Sequence, residues 1–104
     1  MTKATFYFDE NVPYGFLISG HSGFAESGED IVCASVSSVA YMVANTITEI
    51  LKVNAEIEVN DGKMKLIVNK EQRHITKDIL LGLKLHLEGL EEQYPEFIET
   101  LTEV

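Results

Sequence analysis

The order of apolar and polar positions along the chain divides it into six segments. Residues 4–8, "ATFYF", are β-prone and aromatic. The following "DENVPYG" holds Pro13 and Gly15 and reads as a turn before a second strand, "FLIS". Beyond a glycine-bearing stretch, Val32, Val36, Val39, Val43, Ile47 and Ile50 recur at intervals of three and four. That spacing predicts one face of a helix ending near Lys52, with Asp30 placed as its N-cap. "AEIEV" then alternates, putting Ala55, Ile57 and Val59 on one face, and Met64, Leu66 and Val68 alternate on a returning strand. Asp61-Gly62 between them is a hairpin signal. A second helix is predicted from about His74 to Gln93, with Ile75, Ile79, Leu83, Leu87 and Leu90 as its apolar stripe and Tyr94-Pro95 as its end.

The predicted order is strand, strand, helix, strand, strand, helix. It implies an α+β single domain, residues 1–104, with a four-stranded antiparallel or mixed sheet and both helices on one face. At 104 residues the chain is long enough for one core. No linker, low-complexity stretch or signal pattern interrupts it, and no uninterrupted apolar segment reaches membrane-spanning length. One cysteine cannot form an internal disulfide, so the expected location is cytoplasmic.

Charge narrows the partners. The formal net charge is −9, from 17 acids against 8 Lys plus Arg. Such a balance repels nucleic-acid phosphate, and no direct nucleic-acid or membrane partner is expected. Glu88, Glu91, Glu92, Glu96, Glu99 and Glu103 crowd the last seventeen residues. They read first as a solvated helix face and tail, and second as an attraction for a basic partner.

Chemistry concentrates in "ISGHSGFAESGEDIVCASVS", residues 18–37. With Asp30 as cap, Cys33 falls in the first helical turn, where unpaired amides and the positive end of the helix favour a thiolate. His21 is separated from it by a glycine-bearing loop and is a candidate base; first-turn amides are candidate oxyanion donors. The same residues admit a packing explanation. Free cysteine often simply packs, and Cys33, Ser37, Ala40 and Ala44 form a stripe of small residues at helical spacing. Gly82 and Gly89 extend the idea to a close approach of the two helices. Residue types alone leave both readings standing. His74 and His86 fit surface positions, and three histidines with one cysteine show no zinc-site spacing. The glycines match neither a phosphate-binding loop nor a dinucleotide fingerprint. No cofactor is expected.

Taken together, Gly20-His21, Asp30-Ile31-Val32-Cys33-Ala34, Ser37 and "LLGLKLHLEGLEEQYPEF" resemble the ribosomal-processing cysteine protease family, Prp, also called YsxB-like. The resemblance covers most of the chain. It implies a cysteine endopeptidase that removes the N-terminal extension of a large-subunit ribosomal protein, number twenty-seven, in Firmicutes and related bacteria. On the matching positions it makes Cys33 the nucleophile and His21 the general base and acid, with Asp30 and Ser37 in support. It also implies a homodimer. Ser35 stands where many relatives carry alanine, and the stretch from Ser22 to Gly28 is variable among them. Two other classes are compatible with the residues: a non-catalytic ribosome-biogenesis module that binds the extension, and a thiol redox or metal-binding protein. The missing resolving cysteine weighs against the last.

Overall fold

The computed structural model describes residues 1–20 and 29–104. Five strands and two long helices follow in the order β1 (Thr2–Asp9), β2 (Val12–Ser19), α1 (Glu29–Asn45), β3 (Ala55–Asn60), β4 (Lys63–Val68), α2 (Arg73–Gln93) and β5 (Ile98–Glu103). The sheet order is β3-β4-β2-β1-β5, antiparallel throughout except that β5 runs parallel to β1.

Alternation along the strands sets the two faces. Ala4, Phe6, Phe16, Leu66 and Ile98 turn inward and are fully covered by the helices. The helices contribute Val32, Val36, Ala40, Val43 and Ile47 from α1 and its extension, and Leu80, Leu83 and Leu87 from α2, all in one cluster. Each large apolar side chain so buried stabilises the fold by roughly 1.5–3 kcal/mol. Phe6 and Phe16 meet across β1 and β2 with ring centroids 6.3 Å apart, tilted at 48°. The alternate positions Thr5, Tyr7, Leu17 and Ile67 occupy the opposite face and stay half-buried.

The expected α+β class holds, with corrections. The fifth strand, β5, occupies part of what the sequence assigned to an acidic tail. Ile98, Thr100 and Thr102 are β-branched at every second position, and Ile98 is fully buried, so the segment adds to the sheet edge. Pro13 and Gly15 lie inside β2 and not in the turn, which is made by Glu10 and Asn11 at φ 49° and 68°. A bulge leaves Tyr14 without a partner between the Tyr7–Gly15 and Phe8–Pro13 pairs, and bulges are where proline is tolerated in a sheet. In the β3–β4 hairpin, Gly62 alone of the turn pair takes a positive φ, 74°.

Helix phases also shift. A π turn at Thr46–Ile50, closed by the Leu51 amide donating to the Thr46 carbonyl at 2.8 Å, inserts an extra residue into the turn. Ile47 therefore stays buried while Ile50 is exposed. In α2 the stripe runs through Thr76, Leu80, Leu83 and Leu87, leaving Ile75 exposed. Gly82 and Gly89 have open space where a Cβ would stand, so they mark no close helix contact. The helical run Asp30–Ile50, 21 residues, is by length and composition apolar enough to cross a membrane, against the sequence expectation. In this fold its apolar stripe packs on the sheet.

Candidate active site

Cys33 sits on the inward side of α1, only 8% exposed, over the end of the sheet where β1 begins. Its Sγ lies 3.3 Å from the Thr2 hydroxyl. Thr2 is itself 4% exposed and is fixed by the neighbouring strand. Its amide donates to the Phe97 carbonyl at 2.9 Å, and it pairs with Ile98 in the parallel register.

Beside this pair opens a cleft of ≈ 140 Å³. From α1, Cys33, Ser37, Ala40 and Tyr41 form one wall, so the small-residue stripe on that helix clears space next to the sheet. Ile18, Ser19 and Met64 supply the floor, and Val59, Asn60 and Gly62 of the β3–β4 hairpin form the opposite wall. Val59 points toward the helix side of the sheet yet is 50% exposed, and Ile57 is 44% exposed, because β3 lies at the sheet edge beyond the cover of the helices. The result is a part-apolar cleft with a thiol in its helical wall.

Gly20 closes the end of β2 next to this cleft. Its φ of +95° is unfavourable for residues with a side chain, and a Cβ there would stand 2.2 Å from the Met1 carbonyl oxygen. Its amide donates to the Gly62 carbonyl at 3.2 Å, tying the end of β2 to the hairpin wall. His21, the next residue and the candidate base, lies outside the described residues.

The supporting candidates separate. Ser37 is exposed one turn beyond Cys33 and lines the same cleft. Asp30 is exposed and is the second residue of α1, not its N-cap, since the helix already begins at Glu29. Cys33 is consequently the fifth residue of the described helix, just past its first four amides and not among them. A carboxylate in the first turn remains favourable for the helix, through its dipole. Thr2 was missed because a threonine at the head of a strand carries no chemical signature; only the parallel docking of β5 puts it beside the thiol. Among the described residues no group of three His, Cys, Asp or Glu side chains is placed to hold a metal ion.

A small α+β domain with a cysteine on its first long helix, facing an open cleft, has the layout of a cysteine hydrolase. The family model described as cysteine protease Prp matches residues 1–99. The chain belongs to this family and is a cysteine protease. Among curated proteins it is similar to the ribosomal processing cysteine protease Prp of Bacillus subtilis (strain 168), 25% identical over 95 residues that cover 86% of this chain and 85% of the relative. Among solved structures it is similar to the essential ribosomal processing protease Prp from S. aureus in complex with a substrate peptide. That match has a TM-score of 0.90 and 23% identity, covering 99% of this chain and all of the other. The same S. aureus protease with a covalently linked product peptide matches with a TM-score of 0.85 and 25% identity, over 99% and 100% of the two chains. SMU.848 from Streptococcus mutans gives 0.86 and 23%, covering 99% of each chain.

Proposed function

We propose that the protein is the endopeptidase that removes the N-terminal extension of large-subunit ribosomal protein twenty-seven, with Cys33 as nucleophile and His21 as general base and acid. The observation that carries this reading is the Cys33 thiol lining a cleft between α1 and the β3–β4 hairpin. A product peptide covalently linked to the S. aureus relative supports covalent chemistry in the same fold. The half-exposed Val59, Ile57 and Tyr41 suit apolar side chains of an extended substrate, and the net charge of −9 suits a basic one.

In this mechanism His21 takes the thiol proton and the Cys33 thiolate attacks the scissile carbonyl carbon. The tetrahedral intermediate collapses as His21 returns the proton to the leaving amine, leaving a thioester on Sγ. Water, deprotonated by His21, then attacks the thioester carbonyl. Release of the new carboxyl end restores the Cys33 thiol. Ser37 lines the cleft wall one turn along, and on this reading it meets the bound peptide. Asp30 acts at the start of α1, where its carboxylate favours the helix. The enzyme works on this reading as a cytoplasmic homodimer. Exposed Leu81 and Leu85 on α2 offer apolar surface for that contact.

The test is incubation with the extended ribosomal protein and mass spectrometry of the products. The expected result is one site-specific cut by the parent enzyme, none by Cys33→Ala and none by His21→Ala. Equal cutting by Cys33→Ala overturns the assignment of the nucleophile, and no cut by the parent overturns the substrate.

A further inference from the structure

We propose that Thr2 is a positioning residue for the nucleophile: its hydroxyl holds Cys33 Sγ and donates a hydrogen bond to the sulfur once the thiol has lost its proton. This rests on Cys33 being the nucleophile. The two groups are 31 positions apart in sequence, yet their side chains meet at 3.3 Å with both residues buried. At that distance either atom can donate while sulfur carries its proton. After ionisation sulfur is an acceptor only, and the Thr2 hydroxyl, which can both donate and accept, turns its proton toward it. A hydrogen bond to a charged acceptor is stronger than one between neutral groups.

Three features make Thr2 suited to the task. Its backbone is fixed by the Phe97 carbonyl and by pairing with Ile98, so the hydroxyl is carried on a rigid element. Its β-branched side chain has restricted χ1 freedom, which limits the hydroxyl to few directions. Its edge position on the cleft, which it lines together with Cys33, keeps the sulfur beside the space a peptide would enter. The sulfur is thus constrained from the strand side as well as by its own helix.

Valine matches threonine in shape and lacks the hydroxyl, whereas serine keeps the hydroxyl and loses the methyl group. Thr2→Val is expected to lower kcat about tenfold with KM changed less than about twofold, because the hydrogen bond acts on the reacting sulfur and not on the bound peptide. Iodoacetamide alkylation of Cys33 at a fixed pH, a readout free of substrate, is expected to slow in the same variant. Thr2→Ser is expected to restore most of both rates. Parent-like kcat and alkylation in Thr2→Val overturn the proposal, as does a gain in either rate. An equal loss in Thr2→Ser also overturns it, since the methyl group would then be the active part. Thermal melting checks that each variant is folded, and Thr2→Ala takes the place of the valine variant under the same criteria if that one is not. Cys33→Ala is run alongside. If it still cuts, the nucleophile assignment falls; if it is inert while Thr2→Val is parent-like, only the role of Thr2 falls.

Discussion

Gly15 is a position in the middle of the sheet where one added methyl group should cost the fold heavily. It lies in β2, between β1 and β4, paired with Tyr7 on one side and Ile67 on the other. A Cβ added there would stand 2.3 Å from the Leu66 carbonyl oxygen, 2.8 Å from Ile67 Cδ1 and 3.2 Å from Ile67 Cα. The first of these contacts is with backbone, so no side-chain rotation relieves it. β2 and β4 would have to separate locally by at least about 0.7 Å, an overpacking strain of about 1–3 kcal/mol. One weakened ladder hydrogen bond adds about 1 kcal/mol. Gly15→Ala is therefore expected to destabilise the protein by about 2–4 kcal/mol, lowering Tm by roughly 10–25 °C for a domain of this size. The assay is thermal melting by circular dichroism, with Gly82→Ala and Gly89→Ala as controls. Those two glycines sit in α2 with open space around the absent Cβ, and each alanine should stabilise by about 0.5–1 kcal/mol. If Gly15→Ala melts within two or three degrees of the parent, as roughly judged by the same scale, the close β2–β4 approach is not the reason for glycine at that position.

Two further outcomes are expected. Burial first, and then the Glu103 charge and Tyr14, push the Tyr7 phenol above its ordinary 10.0. The unfolded chain therefore releases this proton at lower pH than the folded one. The Tyr7 contribution is intact below pH 10 and is lost as pH rises from there through the folded value. Ultraviolet titration of the tyrosinate should show Glu103→Gln moving Tyr7 back toward 10.0, and Tyr7→Phe should flatten the alkaline fall in stability; no movement in either refutes the attribution. Ser37→Phe, at an exposed position on the cleft wall, should raise KM for the extended substrate at least about tenfold, some 1.4 kcal/mol, while Tm changes little. An unchanged KM would place the peptide elsewhere.

What the sequence disclosed and what it hid follow from how local each signal is. The helix over α1 was readable because valines recur every three or four residues, and β3–β4 because alternation is interrupted by Asp61-Gly62. The π turn was not readable, because an extra residue in one turn leaves no mark in composition, so Ile50 was assigned to the wrong face. β5 was hidden by its charge. Glu99 and Glu103 read as solvated tail, whereas they alternate with Thr100 and Thr102 on a strand whose partner is at the other end of the chain. At the site, the spacing of Cys33 and Ser37 on one helix signals only a stripe of small residues, and the family resemblance is what singles Ser37 out; the structure lines both along one cleft. Asp30 suits a cap by residue type, yet the described helix already includes Glu29 before it. Thr2 depended on a non-local pairing and had no signal of its own.

The parallel pairing of β1 with β5 has a consequence in time. Thr2 and its partner Ile98 lie 96 positions apart, so Thr2 is synthesised well before the strand that fixes it. At about 5–20 residues per second, β1 waits several seconds for the strand that fixes its head. The surroundings of the thiol are thus complete only after β5 has been made and has docked. A nascent chain that has not yet reached β5 carries the cysteine but not the support beneath it.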